Sequence, residues 1–474
     1  MKRISKLTFL GFVLFVSASL YSLNAEIKMP AIFGDNMVLQ QQSDIAIWGW
    51  AKANTSVRVG TSWDKKKYST KSDGNGYWEL KVKTPAASFT PFTVTVSDGK
   101  SITLNNVLIG EVWVCSGQSN MEMPMRGFPN EPIEGGPQAI ATSTNSNIRC
   151  FTLQKSSTSV PQEDCEGTWE MAGPKTTPNF TAAGYYFARL LNQALNIPVG
   201  LIHTSWGGSS IEAWLTPSSI KSVIPDVDIP ANDGEIKSQI ATPTVLYNGM
   251  IHPIVGYGIR GAIWYQGESN REAPDLYVKL FDKMVREWRT IWEVGEFPFY
   301  YCQIAPFNYG GGLNSAYIRE AQAKGMETTP NTGMAVLMDS ESPFSIHPSK
   351  KEEAGERMAL WALAKTYGLD DIHYRSPEVE TLTTEGRIAI LTMDIPSQPG
   401  LTTLGKEVLQ FQIAGDDREF HPAKAAVTGN RIFVFSPLVE KPVAVRYCFN
   451  DTGATEIFTA EGNLPLSSFR TDEW

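Results

Sequence analysis

Histidine and cysteine are both scarce in this chain, with five of each in 474 residues. Five cysteines is an odd number, so at least one thiol is unpaired. Cys115, Cys150, Cys165, Cys302 and Cys448 form no Cys-x-x-Cys pair, which argues against a zinc cage. Cys150 and Cys165 are the one candidate disulfide. Cys115 and Cys302 lie in apolar runs and read as buried small residues. No metal-ligand spacing occurs, so the expected chemistry needs neither a metal nor a cofactor. No long basic run occurs either, and the formal net charge is −9, which argues against nucleic acid as a partner. The longest apolar run, Leu7 to Leu20, is short for a membrane span. It follows the basic Met1-Lys2-Arg3 and Lys6, and the chain turns polar near Asn24-Ala25-Glu26. Charge, length and order make residues 1–25 a signal peptide cut after Ala25. No Cys precedes Cys115, so a lipid anchor on a cysteine near the cut is excluded. The mature protein is expected to be secreted or periplasmic, without stable membrane insertion. Thirteen Trp and sixteen Tyr suit sugar faces, but rings also build cores, and that second use is the commoner.

At roughly 150 residues per domain, the length fits about three domains. Residues 26–106 read as a β domain, a small sandwich. Val57-Arg58-Val59 and Phe92-Thr93-Val94-Thr95-Val96 alternate in period two, and Gly/Asp clusters such as Ser72-Asp73-Gly74-Asn75-Gly76 punctuate them. Residues 107–375 change style. Apolar strands at Val112–Cys115, Val199–Ile202, Gly261–Trp264, Phe299–Cys302 and Met334–Met338 alternate with helical stretches at Thr181–Leu195, Leu276–Trp292 and Lys351–Tyr367. That alternation predicts an α/β domain, a parallel sheet with helices on both faces. Residues 376–474 return to strands, typified by Arg387–Leu391 and Arg431–Phe435, as a C-terminal β region.

In a parallel sheet, functional groups gather at the carboxyl ends of the strands. The strand ending at Cys115 runs into Ser116-Gly117-Gln118-Ser119-Asn120-Met121. A small residue and a glycine permit a sharp turn, which sets Ser119 at the strand end. A serine there is a nucleophile if a base takes its proton; taken alone, it is more often a helix cap. Gly207-Gly208, inside Ser205-Trp206-Gly207-Gly208-Ser209-Ser210-Ile211-Glu212-Ala213-Trp214, offers backbone N–H groups of the kind an oxyanion hole requires. Trp264-Tyr265-Gln266-Gly267-Glu268-Ser269-Asn270 offers the Gln266 amide as a further donor. Each segment by itself is adequately explained as a strand-terminating turn. Of the histidines, His203 lies within a strand, and His373 and His421 fall in or near the late β region. His347, in Ser345-Ile346-His347-Pro348, lies in a loop at a strand's carboxyl end and can meet Ser119. His252 is the second choice of base.

Taken in order, these segments resemble the sialate O-acetylesterase family of the SGNH hydrolases. The resemblance rests on Gly-Gln-Ser-Asn-Met, Gly-Gly-Ser-Ser-Ile-Glu-Ala-Trp, Trp-Tyr-Gln-Gly-Glu-Ser-Asn and Ile-His-Pro. Phe33-Gly34-Asp35-Asn36-Met37-Val38-Leu39-Gln40 looks like the family's opening, and Ser468–Trp474 like its ending. The resemblance implies Ser119 as nucleophile and His347 as base. It implies an oxyanion hole from the N–H groups of Ser119 and Gly208 and the side chain of Gln266. Related enzymes often carry Asp two or three residues before this histidine, where this chain has Ser345 and Phe344. The orienting acid is therefore Asp339, Glu341 or no side chain at all, with Asp339 the leading choice.

The reading is a serine esterase that removes O-acetyl groups from an acetylated carbohydrate, O-acetylated sialic acid first, through an acetyl-enzyme. One rival acts on another sugar such as acetylated xylan. The other is a non-catalytic carbohydrate-binding protein on a dead hydrolase core. Ser119, His347 and Gln266 are all present and argue against the second.

Overall fold

The computed structural model describes residues 27–474 apart from 311, 313, 343, 344 and 396–399, so the signal segment 1–25 lies outside the described residues. Its organising element is a 17-residue strand, Ser101–Gly117. The two halves of this strand differ in composition, and the difference sets their surroundings. Ser101 to Asn106 alternates between exposed and covered positions and pairs antiparallel with Ser88–Ser97. Val107 to Gly117 is continuously buried. A one-faced antiparallel ladder tolerates polar residues on its open side, whereas a strand covered on both faces does not. At the changeover Asn106 takes a left-handed φ of 53°. The buried Arg149 guanidinium caps the kink, bonding the carbonyls of Asn36 and Asn106 and the Asn106 side chain. The 106/107 division drawn from sequence thus falls inside one strand, with no linker.

The N-terminal strands form two layers. Asp44–Trp50 pairs antiparallel with Tyr77–Lys83, and Ser56–Thr61 pairs with Lys67–Lys71 and Ser88–Ser97. Ile45, Ile47, Val57, Val59, Trp78, Val82, Val94 and Val96 fill the space between.

The central sheet has the order Thr332–Ala335, Phe299–Cys302, Gly261–Tyr265, Ser101–Gly117, Val199–Ser205, Asn145–Thr152, Trp169–Ala172. The first six run parallel, and Trp169–Ala172 joins antiparallel at the edge. Alternate residues feed opposite cores. Trp113, Cys115, Ile263 and Tyr265 face one side, with Tyr186, Leu191 and Met358 of the helices Ala182–Leu195 and Lys351–Trp361. Val112, Val114, Ala262 and Trp264 face the other, with Phe281, Trp288 and Ile318 of the helices Pro274–Trp292 and Ala316–Thr328. Trp264 sits edge-on to Trp214 and Trp288, at centroid distances of 5.9 and 6.0 Å. Such pairs add about 0.5–1.5 kcal/mol each beyond area burial.

Two boundaries differ from the sequence reading, and two elements lie outside it. The strand expected at Met334–Met338 ends at Ala335, because Arg357 takes the Val336 carbonyl (2.7 Å) and Ser340 the Leu337 carbonyl (3.0 Å), turning the chain away. The last helix is α-helical over Lys351–Trp361 and continues as a π-turn over Ala362–Thr366. The helix Ala316–Thr328 and the strand Asn145–Thr152 were not anticipated. The five cysteines are free, so Cys150 and Cys165 are not joined.

The C-terminal region is a seven-stranded sheet opening with Glu378–Glu385. Side chains fasten it to the catalytic domain. The fully buried Arg319 reaches the Ser468 hydroxyl and the carbonyls of Cys448 and Asn450. Arg470 pairs with Glu320 at 3.0 Å. No helix among the described residues is long and apolar enough to cross a membrane.

Candidate active site

The strand that starts the α/β domain lies at its centre, and later strands add on either side. Ser205 and Tyr265 both stand level with Gly117. A crevice opens at such a point because the chain leaves in opposite directions. Gly117 has φ +135°, and a β-carbon there would lie 2.2 Å from the Tyr265 carbonyl oxygen, so only glycine fits the turn.

Ser119 opens the short helix Ser119–Glu122, and each neighbour of Ser119 has a partner. Gln118 donates its N–H to Tyr265 O (2.9 Å) and accepts, on Oε1, from the N–H groups of Gly267 and Ser269. Asn120 Nδ2 donates to Glu268 Oε1 (2.6 Å) and to the Ile346 carbonyl (3.2 Å). Glu122 Oε2 accepts from the Gly207 N–H (2.5 Å), and its other oxygen takes Lys155 Nζ (2.7 Å). Lys155 in turn lies 5.4 Å from the centroid of the Trp206 ring.

The Gly207-Gly208 turn presses against the serine: a β-carbon on Gly207 would stand 3.3 Å from the Ser119 β-carbon. Gly208 has φ +75°, outside the range most side chains accept. Among the described residues the N–H groups of Ser119 and Gly208 donate to no protein group. Two free N–H groups beside a serine at a strand end are what a developing oxyanion requires.

Gln266 differs from expectation. Its Nε2 donates to Ser209 O (3.1 Å) and Asn270 Oδ1 (2.6 Å), which occupies both amide hydrogens. Acceptors on both sides of the nitrogen fix which end of the amide is which. Its Oε1 is buried without a partner. The side chain therefore ties down the carbonyl of Ser209, next to Gly208, and has no hydrogen left for an oxyanion.

His347 Nδ1 lies 2.8 Å from Glu131 Oε2. Ser345, at a position where an acid was looked for, donates its hydroxyl to the other Glu131 oxygen and accepts the His347 N–H at 2.8 Å. Phe128 stands edge-on to the imidazole, with centroids 5.2 Å apart. Burial works to raise the Glu131 pKa, but the hydrogen bonds from Ser345 and His347 and the charges of His347 and Lys351 outweigh it and hold the carboxyl below its ordinary value.

The two carboxylates named from sequence lie elsewhere. Asp339 makes a two-pronged ion pair with Arg357, at 2.7 and 2.6 Å. Glu341 is exposed and makes no bond to the imidazole. The reason is geometric: a guanidinium nearly two helix turns into Lys351–Trp361 matches the Asp339 carboxylate fork and holds it away from the loop. His252 is also apart. Its Nδ1 meets the Gln162 carbonyl at 2.8 Å, and it lines a cleft with Ile45 and Trp48 of the N-terminal region. His203 is packed as expected, with Nε2 2.6 Å from Ser205 Oγ; burial, then the Lys155 charge, brings its pKa down to about 4.

Sequence reasoning missed Glu131, Asn120 and Lys351. Glu131 sits in Phe128-Pro129-Asn130-Glu131-Pro132, a coil with no periodicity to mark it. Lys351 carried a faint signal, since a cation in a helix's first turn opposes the helix dipole.

The family model for carbohydrate esterases described as sialic acid-specific acetylesterase matches residues 109–360, more than half of the chain. The sialate O-acetylesterase of Mus musculus is 28% identical over 442 residues, covering 79% of this chain and 81% of that protein. That of Rattus norvegicus is 30% identical over 411 residues, covering 73% and 75%. Among solved structures, a carbohydrate acetylesterase from Xanthomonas citri superposes with a TM-score of 0.86 at 34% identity, covering 95% of this chain and all of that one. This chain, a carbohydrate acetylesterase, belongs to the sialic acid-specific acetylesterase family of carboxylic ester hydrolases.

Proposed function

We propose that the protein removes O-acetyl groups from O-acetylated sialic acid through an acetyl-enzyme on Ser119, in a catalytic domain of the SGNH type. The observation that carries the mechanism is the arrangement around Ser119. Unoccupied N–H groups of Ser119 and Gly208 adjoin it, and the loop of a carboxylate-bound histidine is tied to the next residue. His347 takes the hydroxyl proton as Ser119 Oγ bonds to the acetyl carbonyl carbon. The carbonyl electron pair moves to oxygen, between the two N–H groups. The C–O bond to the sugar then breaks, and His347 returns the proton to the leaving sugar oxygen. Water, deprotonated by the same imidazole, releases acetate and restores Ser119. Glu131 holds the imidazole tautomer and balances the imidazolium charge. Gln266 holds the Gly208 turn in place. The named activity of the mouse and rat relatives supports sialate as the sugar.

The composition of residues 1–25 supports export, to the periplasm or beyond, with a mature N-terminus at Glu26.

The test is acetate release from O-acetylated sialic acid, acetylated xylo-oligosaccharide and a generic acetyl ester, by wild type and Ser119→Ala. The variant should lose activity by about 10⁴ to 10⁶-fold on every ester, with an unchanged circular dichroism spectrum. Near wild-type turnover would sink the mechanism. A higher kcat/KM on the xylo-oligosaccharide would sink sialate as the substrate and leave the mechanism standing.

A further inference from the structure

The carbonyls on either side of His347 are both tied to the residue that follows Ser119. The Ile346 carbonyl accepts from Asn120 Nδ2 at 3.2 Å. The Pro348 carbonyl accepts from Lys351 Nζ at 2.5 Å, and the same ammonium donates to Asn120 Oδ1 at 2.8 Å. The remaining Asn120 hydrogen goes to Glu268 Oε1 at 2.6 Å. All three side chains are buried: Asn120 and Lys351 are each 1% exposed and Glu268 is 6% exposed.

We propose that Asn120, Lys351 and Glu268 form a buried clamp that sets the position of the base loop against the nucleophile turn. All three are positioning residues acting through His347 and Ser119. The proposal rests on the reading of those two as base and nucleophile. The carboxamide of Asn120 is suited to the centre of such a clamp. Its oxygen faces a cation and its nitrogen faces a carboxylate, so the two charges fix its orientation, and all its hydrogens and its acceptor are in use. A hydrophobic residue of the same volume would pack there but would hold neither carbonyl.

The features of Lys351 and Glu268 accord with this role and fit poorly with stability alone. A lysine in the first turn of a helix faces the positive end of the helix dipole. Burial draws the Lys351 pKa down to about 7, against the opposing charges of Glu268, Cys302 and Glu131. Burial raises that of Glu268, whose second oxygen is buried without a partner. A buried arrangement of this kind is weak evidence of stabilisation. Its geometric product, the fixed separation of two turns that share no covalent neighbour, is what general-base catalysis requires. A misplacement of about 1 Å costs on the order of a hundredfold in rate.

The test compares Asn120→Asp, Lys351→Gln and Glu268→Gln on one acetyl ester. kcat and KM are measured separately, and Ser119 reactivity is followed with a serine-directed fluorophosphonate. Asn120→Asp keeps the shape but faces Glu268 and Ile346 O with an acceptor. Its kcat should fall roughly a hundredfold, with KM within about threefold. Fluorophosphonate labelling should slow in parallel. The deficit should shrink as pH falls, because a protonated carboxyl regains a hydrogen to donate; a space-filling role would give no such recovery. Lys351→Gln should show the same split in kcat without that recovery, and it keeps the test informative if Asn120→Asp does not fold. Glu268→Gln retains an acceptor for Asn120 and should keep most of the rate, whereas Glu268→Ala should show the fall in kcat. Folded Asn120→Asp or Lys351→Gln with kcat within threefold of wild type would overturn the clamp. Such a result, alongside inactive Ser119→Ala, would leave the mechanism untouched.

Discussion

The nucleophile turn and the base loop meet at one crevice, but they are held in different ways. The turn at Ser119 is held by side chains that are consecutive in sequence, each gripping a distant loop. It ends a long buried strand, Gly117 is the only residue that fits its bend, and Gln118, Asn120 and Glu122 each anchor a neighbouring loop. The loop at His347 is held partly by its own neighbours and partly by two scattered residues, Glu131 and Asn120. Its imidazole leans on Glu131, its flanking carbonyls on Asn120 and Lys351, and its N–H on Ser345. The first arrangement leaves a compact motif, because every contact is set by consecutive residues. The second leaves none, because its contacts with Glu131 and Asn120 join separate segments. The proposed nucleophile can therefore be picked out from a few letters, whereas the carboxylate that meets the proposed base cannot.

That contrast can be broken most sharply at the two rival carboxylates. Glu131→Gln should lower kcat by about 10² to 10⁴-fold, the range expected when the imidazole loses its tautomer-fixing carboxylate. Asp339→Asn should leave kcat within a few-fold. Its cost should appear instead in stability, about 2–3 kcal/mol from a half-broken, largely buried ion pair. Steady-state kinetics and denaturant titration of both variants decide between them. The reverse pattern would restore Asp339 as the acid and return the base loop to local control.

Gln266→Ala sharpens the contrast on the nucleophile side. If the amide only fixes the Ser209 carbonyl, kcat should fall about ten- to a hundredfold through a loosened Gly208 turn, less than loss of a direct oxyanion donor. A loss near a thousandfold with unchanged KM would show that the amide rotates to the substrate during turnover.

The smallest effect is expected at Ser345. The folded Glu131 pKa is depressed, so its contribution is present above the ordinary value of 4.5 and is lost as pH falls through the lower folded value. Ser345→Ala removes a donor to that carboxylate, which raises the folded value. The acid limb of the stability–pH curve, followed by thermal denaturation, should then move toward pH 4.5 with little change near neutrality. An unshifted limb would mean that Ser345 does not hold the Glu131 charge.

Much of the scaffold was legible. Apolar runs at Val199–Ile202, Gly261–Trp264 and Phe299–Cys302 could only be buried strands, and Thr181 announced its helix by capping the Gly184 N–H. The helix Ala316–Thr328 was harder to see. Its buried face includes Arg319 and Gln322, polar residues made tolerable by the C-terminal region and by Gln266, neither of which a local pattern records. Ser119 and His347 were legible as candidates from strand ends and order along the chain. Glu131 was not, because a coil residue's use depends on which loop folds over it. Gln266 was legible as a member of the site, but its hydrogen count was not, since that depends on Ser209 and Asn270 being at hand.

The strand Ser101–Gly117 has a mechanical meaning. At the full extended rise its seventeen residues would span about 55 Å, broken by the kink at Asn106. One end is hydrogen-bonded into the N-terminal sandwich, and the other stops two residues short of Ser119. The N-terminal region is therefore a handle on the catalytic strand, with no hinge at which a protease could cut it free. Removing the chain up to residue 106 would take Val38–Gln40 from its pairing with Leu108–Gly110 and bare Val107, Leu108 and Ile109 to solvent. Melting of the sandwich would loosen the strand that carries the nucleophile, so the two regions should lose structure in a single calorimetric transition.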